Sequence, residues 1–492
     1  MSNISTQTER VPWDPDTNPD DPYKWKIFSA VGVSMFTMVM SFSIVFVALN
    51  AIAEDFGVTL RVVTWVIIAQ SLTISAVMLP VGRVADIIGR KKVHLIGQAL
   101  FIAGAIFAAF SPSLGILIVA RVIMSVGSAM GQAVGTAIII SVFPTRERGL
   151  AIGSQTTAVA IGGAAGPIIG GLLLQVWGWQ ALFIVMAIPM AIALVWSFIV
   201  LDDSRISEAI QGKRPPYDWL GAFLSAVAVI VLVVTINNPF AVAWISPLII
   251  GGGLLAAALL AAFIFWELRN PAPMLDLRMF ENAVFALAIA TRWMGFMGTT
   301  ATRFLMPIFL ISFRGMSEGA AGGVLFVSAV GMAIAAQASG RLSDAFGSRR
   351  FTVMGFGVIV ATALGFAFIT DETALWLLLV VTFANGLGMG LWSVPNNSII
   401  LGSISRSRFG VVSALTNLTR NVGNVTGQAV ASAIVVGIMA ADGFDIPLNE
   451  IDVIPGAGAA FLSGWKIAYF AVVGFALVGA ALAFFTREPD EQ

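Results

Sequence analysis

Four arginines stand inside long apolar stretches of the chain, and no aspartate or glutamate lies in the interior of those stretches. They are Arg121, Arg292, Arg303 and Arg420. An arginine at the centre of a membrane helix costs about 2.5–3.5 kcal/mol on insertion scales, so it normally faces a wet cavity and has a role there. Because a cavity with arginines and no carboxylate is positive, it should attract anions and repel cations. The arginines therefore predict a site for an anionic or a neutral amphipathic molecule, although snorkelling or bonding to backbone carbonyls is the alternative, strongest for Arg303.

A polar stripe supports the same interpretation. Asn417, Arg420, Asn421, Asn424 and Gln428 recur at i, i+3, i+4, i+7 and i+11, which places them on one helix face. So polar a face suits a cavity better than lipid, and hydrogen bonding between helices is the alternative. The other candidates for the cavity are polar or aromatic residues inside apolar stretches: Asn50, Gln70, Gln132, Gln155, Trp293, Asn385, Trp392 and Asn396.

The composition limits the class of protein. Hydrophobic residues make up 58% of the 492 positions and charged residues 11%, and the mean hydropathy is +0.92, which indicates a polytopic helical membrane protein. Cysteine is absent and His94 is the one histidine, so thiolate and histidine metal sites are excluded. Since the sequence has neither a nucleotide-binding loop nor a nucleophile–base pair, we expect no enzyme, no metal and no cofactor. The net charge of zero gives no sign of nucleic-acid binding.

Fourteen apolar runs are near or above the roughly 20 residues that cross a bilayer. They cover about 27–52, 62–82, 93–111, 114–143, 150–176, 180–200, 220–237, 247–267, 283–311, 320–339, 352–370, 375–401, 410–440 and 466–486. We expect an all-α fold with two six-helix bundles and two extra central helices. The expected domains are a cytoplasmic tail (1–26), the first bundle (27–200), a linker with the extra helices (201–282), the second bundle (283–487) and a second tail (488–492).

The basic residues predict the orientation. With the tails and even-numbered loops in the cytoplasm, 20 of the 27 Lys and Arg residues lie on that side, and only Arg61, Arg314 and Lys466 lie opposite. The positive-inside rule then places both termini in the cytoplasm and the chain in the inner or plasma membrane. Most tryptophans, Trp465 among them, fall at the ends of apolar runs, as an aromatic belt would. We expect a monomer whose partners are the lipid bilayer and a small-molecule substrate.

One short motif occurs twice. Gly82-x-x-x-Asp86-x-x-Gly89-Arg90-Lys91 returns as a second copy, and each copy is predicted to be a polar loop between two apolar runs. The second copy contains Gly340, Asp344, Gly347 and Arg350. The duplication indicates two homologous halves. A carboxylate such as Asp86 at a helix end can meet the N-terminal dipole of the next helix and a nearby arginine.

This loop resembles the loop between spans 2 and 3 of the major facilitator superfamily. The resemblance implies that it latches the halves in the outward-open state. The segment Pro144-Thr145-Arg146-Glu147-Arg148 resembles the superfamily's loop between spans 4 and 5, so Arg146 and Arg148 are expected partners of Asp86. Arg406 and Arg408 occupy the matching place in the second half, opposite Asp344.

The fifth span contains Gly162-x-x-x-Gly166-Pro167-x-x-Gly170-Gly171, in which small residues permit close helix contact and the proline bends the helix. The pattern resembles the antiporter motif of drug exporters, and close packing without exporter meaning is the alternative. Arg121 lies in a stretch that resembles the family's span-4 arginine motif, which implies a role in the cavity and in proton coupling. With fourteen spans and Thr419-Arg420-x-x-Gly423-x-x-x-Gly427, the chain resembles the fourteen-span drug:proton antiporter branch.

The first span departs from that branch, because Ser41 stands where the branch has an aspartate. The candidates for proton coupling are therefore Asp86, Asp344, Glu267 and His94, or the anionic substrate itself. We expect a secondary active transporter that exports small organic or amphipathic molecules by alternating access, with a proton or another ion gradient as the open question. The alternatives are an importer or uniporter of organic anions, a lipid or amphiphile transporter and a non-transporting membrane sensor.

Overall fold

The computed structural model describes residues 15–206, 216–238, 242, 246–405, 408–444, 446, 451 and 454–486. Across these residues, fourteen helices are long and apolar enough to span a membrane, which confirms the predicted all-α polytopic fold. The helices are α1 (Tyr23–Asp55), α2 (Trp65–Ile88), α3 (Arg90–Ala109), α4 (Leu114–Val142), α5 (Arg148–Trp177), α6 (Gln180–Val200), α7 (Trp219–Asn237), α8 (Pro247–Arg269), α9 (Ala283–Ile308), α10 (Glu318–Phe346), α11 (Ser348–Ala367), α12 (Leu375–Gly402), α13 (Phe409–Ala441) and α14 (Ala457–Phe485).

The predicted loops of the repeated motif are almost entirely helical. Helix α2 continues through Asp86 to Ile88, and only Gly89, with φ at +102°, separates it from α3. Gly347, with φ at +91°, separates α10 from α11 in the same way. Glycine adopts these angles without the strain that a side chain would bring. Each motif is therefore the last turn of one helix, a single-residue turn and the first turn of the next. We call the face of the molecule that carries Gly89 and Gly347, predicted to be cytoplasmic, the basic face.

Helix α14 begins at Ala457, nine residues before the predicted start of the last span. Trp465 lies inside it, fully buried, and its Nε1–H donates to the Phe366 carbonyl oxygen at 2.7 Å. The interpretation of Trp465 as part of an aromatic belt was wrong. The early turns of α14 are rich in small residues, which lower the apolar signal but allow close packing, as where Gly464 meets the backbone of Val435.

The helix packing shows the internal repeat. In the first bundle α1 packs on α5 and α6, α4 packs on α2 and α3, and α3 packs on α6. In the second bundle the helices eight places later make the same contacts: α9 with α13 and α14, α12 with α10 and α11, and α11 with α14. Two bundles of equal topology, each with six helices, therefore form the body of the molecule.

The bundles meet along two seams, α5 against α10 and α2 against α13. Of the extra pair, α7 packs on α2 and α8 packs on α7. Helix α8 buries only Ala256, Phe263 and Glu267. The extra helices are thus attached to the outside of the α2–α13 seam.

Candidate functional site

The first motif aspartate closes one seam at the basic face. Asp86 Oδ1 accepts a hydrogen bond from the Gly410 backbone N–H at 3.1 Å, and Oδ2 accepts one from Val411 N–H at 3.0 Å. Both donors belong to the first turn of α13, where free N–H groups and the helix dipole favour a negative charge. Arg90 Nη2 lies 3.7 Å from Oδ1, and the Asp86 side chain is 7% exposed.

The second motif aspartate closes the other seam. Asp344 Oδ1 accepts from Gly149 N–H at 2.8 Å, and Oδ2 accepts from Leu150 N–H at 3.0 Å, at the start of α5. Asp344 is exposed, in contrast to Asp86. Each aspartate therefore binds the first turn of a helix in the opposite bundle. We call these contacts the Asp86 latch and the Asp344 latch.

The expected arginine partners do not match this geometry. Arg146 is 66% exposed beside Glu147. Arg148 lies 5.6 Å from the Phe409 ring and interacts electrostatically with Asp344 rather than with Asp86. Arg408 pairs with Asp276 at 3.0 Å, and Arg406 lies outside the described residues. The expected pairing of Asp86 with Arg146 and Arg148, and of Asp344 with Arg408, was wrong, because backbone N–H groups at a helix start supply the donors.

The remaining motif residues support the seams. A Cβ atom on Gly82 would approach the Ala414 Cβ of α13 to 2.5 Å, and Gly340 contacts the backbone of Gly149. Lys91 lies over the Phe198 ring at 5.8 Å, and Arg350 is exposed.

The glycines of the fifth span pack against α1. Gly162 faces the Phe36 backbone, and Cβ atoms on Gly166 and Gly170 would approach the Ile44 N and Cγ1 to 2.8 and 2.9 Å. Pro167 lies within the helix, and Gly171 has no neighbour within 4 Å. Three of the four glycines thus act in helix contact, as both interpretations of the motif expected.

Arg121 occupies a closed polar cluster in the first bundle. Its Nη2 donates to Gln70 Oε1 and, at 3.4 Å, to the Ser41 carbonyl oxygen, and Gln70 Nε2 donates to Ser41 Oγ at 3.3 Å. Arg121 is fully buried. Ser41, at the position of the family's acid, leaves Arg121 with neutral acceptors alone in the part of the chain that the structure describes.

The other three arginines gather in the second bundle. Arg292 Nε donates to the Thr416 carbonyl oxygen at 2.9 Å, and Arg303, which is exposed, has Met389 Sδ 3.3 Å from its Nη2. The positive charge of Arg420 repels that of Arg292, and the charge of Arg303 repels that of Arg420. Among the described residues, no carboxylate forms an ion pair with any of them. We call Arg292, Arg303 and Arg420 the arginine cluster.

The arginine cluster is tied to the first bundle by one glutamine. Arg420 Nη2 donates to Gln132 Oε1 of α4 at 2.9 Å, and Asn417 Nδ2 donates to the Gln132 carbonyl oxygen at 3.1 Å. Arg420 lies eleven residues from the start of α13, about 16 Å from the basic face at 1.5 Å per residue. The two bundles are therefore joined in the middle of the structure as well as at the latches.

Several predicted cavity residues instead hold helices of one bundle together. Asn385 donates to Thr362 at 3.1 Å, Asn396 to the Ala288 carbonyl at 3.0 Å, Gln155 to Thr136 at 2.7 Å, and Thr300 to Asn424 at 2.6 Å. Trp392 is fully buried between Phe356 and Phe296, with ring centroids at 5.2 and 5.1 Å. Trp392 therefore does not line open space in this structure, and its assignment to the cavity was wrong.

Five of the predicted cavity residues remain at least partly accessible, the half-buried Arg420 and Asn424 among them. Trp293 is 38% exposed beside Gly423, Asn421 is half-buried, and Asn50 is exposed.

Sequence reasoning missed an aromatic pair on α1. Phe42 and Phe46 are 38% and 50% exposed, and their rings form an edge contact at 5.5 Å. Helical periodicity places both, with Asn50, on the exposed face of α1 opposite the buried Ile44 and Ala48. Their recurrence at i, i+4 and i+8 was the signal that could have found them.

Comparisons with known proteins agree with this architecture. A family model described as the Major Facilitator Superfamily matches residues 31–428. The Riboflavin transporter RibZ of Clostridioides difficile is 28% identical over 415 residues, which cover 83% of this chain and 88% of that protein. The Multidrug resistance protein Stp of Mycobacterium tuberculosis is 29% identical over 413 residues, 84% of this chain and 76% of that protein.

The crystal structure of the human organic anion transporter MFSD10 (TETRAN) superposes with a TM-score of 0.66 at 15% identity, covering 94% of this chain and 99% of that one. This likeness concerns the fold. Since the family model covers well over half of a chain whose two bundles repeat one packing pattern, the chain belongs to the major facilitator superfamily of membrane transporters.

Proposed function

We propose that this transporter exports small organic anions or neutral amphipathic molecules by alternating access. The observation that carries the proposal is the arginine cluster, in which Arg420 contacts the opposite bundle through the neutral acceptor Gln132. An anion adds the attraction of opposite charges to its hydrogen bond with an arginine, which a neutral amide oxygen does not. An anionic group should therefore displace the Gln132 amide oxygen from Arg420.

Displacement of Gln132 connects binding to conformational change. Once the anion occupies Arg420, one of the two hydrogen bonds between α13 and Gln132 of α4 is lost, which weakens the central link between the bundles. Phe42 and Phe46, on the exposed face of α1, offer a surface for the apolar part of an amphipathic substrate. A substrate with both an anionic and an apolar part fits this arrangement best.

The described conformation has both latches engaged at the basic face. We propose that this face is cytoplasmic, as the positive-inside rule indicates, and that both latches open when the transporter loads its substrate. An exported anion moves with an inside-negative potential, which contributes about 2.3 kcal/mol per charge for each 100 mV. The relatives named as a multidrug resistance protein and a riboflavin transporter support a small organic molecule as the substrate.

Purified full-length protein in proteoliposomes tests the proposal. Three fluorescent probes are compared under an imposed membrane potential, with and without a pH gradient: an anionic fluorescein derivative, neutral riboflavin and cationic ethidium. We expect transport of the anionic or the neutral probe, lost in Arg420→Met and kept in Arg61→Met, which removes an exposed arginine outside the site. Transport of ethidium alone, lost in Arg420→Met, would contradict the proposal. The direction of flux separates export from import by the same site.

A further inference from the structure

Two buried carboxyl groups meet where the extra helices reach the basic face. Asp218 precedes α7, is 7% exposed, and its Oδ1 accepts from the Gly221 backbone N–H at 2.9 Å. The Trp266 indole Nε1–H lies 3.0 and 3.1 Å from its two oxygens, and Asn270 Nδ2 donates to Oδ2 at 2.7 Å.

Glu267 of α8 is 3% exposed and faces the same place. Its Oε2 accepts from the Leu275 backbone N–H at 3.1 Å, whereas Oε1 is buried and has no hydrogen-bond donor. A Cβ atom on Gly221 would collide with both Glu267 Oε1 and Asp218 Oδ2, so the two oxygens converge on one point. Two ionised carboxylates are acceptors only and repel each other in so dry a place, and a proton on one of them relieves that repulsion.

Within the described residues, no positive charge compensates the pair. Neither carboxylate forms an ion pair with a Lys or Arg in the described ranges. Of the surrounding groups, the Tyr217 phenol has a pKa raised by burial, and Arg269 stacks on Phe265 at 3.8 Å. Asp276 is paired with Arg408, and Arg83 of α2 interacts electrostatically with Asp86. Arg278 and Glu281 are exposed. Burial and the neighbouring carboxyl group both disfavour a second negative charge at this site.

We propose that Asp218 and Glu267 share one proton and form a proton-binding site that controls the Asp86 latch. The segment 270–282, which follows Glu267, carries Asp276, and Asp276 holds Arg408 at 3.0 Å. Arg408 stands two residues before Gly410, the donor to Asp86. From the other side, the Tyr217 hydroxyl donates to the Pro80 carbonyl of α2 at 3.4 Å. Both helices of the latched seam are thus attached to the carboxyl pair.

The direction of the effect follows from the charges. When the proton leaves, two negative groups repel each other in a buried position, and the end of α8 moves with the segment that holds Arg408. The latched state binds the proton more tightly than the open state. Low pH therefore favours the closed basic face, and a rise in pH favours its opening. This gating step rests on the proposed transport function, whereas the shared proton does not.

Infrared difference spectroscopy on the full-length protein in lipid nanodiscs tests the shared proton without any substrate. Between acid and alkaline pH we expect a protonated-carboxyl band that disappears in Glu267→Gln, which mimics the protonated side chain and should fold. Asp218→Asn is the second variant, and Glu281→Gln, an exposed carboxylate of the same segment, is the matched control. An unchanged band in both Glu267→Gln and Asp218→Asn would overturn the proposal.

Spin-label distances test the connection to the latch. The chain contains no cysteine, so Lys92→Cys and Ser403→Cys, on the basic ends of the two bundles, can be labelled without background. We expect the distance distribution to shift to longer values as pH rises, and Glu267→Gln to abolish most of that shift while Glu281→Gln keeps it. A shift that persists in Glu267→Gln refutes the connection. If neither anions nor riboflavin are transported while the band behaves as expected, the transport proposal fails and the proton site stands.

Discussion

The carboxylate of Asp86 caps the first turn of a helix in the opposite bundle, and its Oδ1 lies 3.1 Å from the Gly410 nitrogen. Asp344 makes the same contact with Gly149 at 2.8 Å. The two contacts are alike in geometry and differ in exposure, since the Asp86 side chain is 7% exposed and Asp344 is exposed. Because water weakens an exposed charge interaction, the Asp86 latch should contribute more to closure than the Asp344 latch.

The first prediction concerns this asymmetry. Asp86→Asn removes the charge and one of the two acceptor oxygens, and a hydrogen bond to a charged group contributes about 1.5–3 kcal/mol. We expect the population with an open basic face to rise by roughly tenfold or more in Asp86→Asn and by clearly less in Asp344→Asn. Spin-label distances between positions 92 and 403 measure both variants. Equal effects would show that exposure does not decide the strength of a latch.

The second prediction concerns the glycines of α5. A methyl group at Gly166 meets Ser43, the Ile44 backbone and the Met40 carbonyl of α1, whereas one at Gly171 meets nothing within 4 Å. Overpacking of this kind costs about 1–3 kcal/mol. We expect Gly166→Ala to lower the midpoint of thermal unfolding in detergent and Gly171→Ala to leave it unchanged. A similar loss in both variants would indicate that lipid contact matters more than the α1–α5 contact.

The third prediction concerns the hydrogen bond between Arg420 and its acceptor Gln132. In Gln132→Ala, Arg420 keeps its charge and loses a competitor for the anion, so the affinity for an anionic probe should rise by about three- to tenfold, the worth of one ordinary hydrogen bond. In Arg420→Met, binding should be lost. Gln155→Ala is the matched control, because Gln155 bonds to Thr136 within its own bundle. Equilibrium binding of the fluorescein derivative provides the measurement, and weaker binding in Gln132→Ala would mean that the amide belongs to the anion site.

The fourth prediction restores the missing acid. In Ser41→Asp, the new carboxylate lies beside Arg121 and Gln70, which already contact Ser41. An ion pair should replace a hydrogen bond to a neutral acceptor, and the carboxylate adds a protonatable group to the first bundle. We expect ethidium transport to appear and to depend on a pH gradient, with Ser41→Asn as the neutral control of similar size. Ethidium transport of equal rate in both variants would show that the acid has no part in coupling.

The fold could largely be predicted, because each membrane helix carries its own signal in about twenty apolar residues. The motif repeat likewise identified Asp86 and Asp344. Their partners could not be found in this way, since Asp86 and Gly410 are 324 positions apart and the donors are backbone groups without a residue-type signature. The same limit hid the link between Arg420 and Gln132.

Burial in the middle of the membrane was the other unpredictable quantity. Trp293 and Trp392 both stand inside apolar runs, yet the first is 38% exposed and the second is fully buried. Among the arginines, Arg121 is fully buried, whereas Arg420 is half-buried. A polar or aromatic residue in a span satisfies the periodicity rule whether it faces a cavity or a neighbouring helix, and only the packed neighbours decide between the two.

Helix α8 contacts α7 and the segment that follows α8, and three residues of α8 are buried. Nearly all of its surface therefore belongs to the lipid, and its tilt should follow the thickness of the surrounding hydrocarbon. One of those three residues is Glu267, half of the carboxyl pair. Acyl-chain length should then affect the carboxyl pair, as pH does. A bilayer that tilts α8 draws Glu267 away from Asp218, so the transporter's response to acid should differ between short-chain and long-chain vesicles.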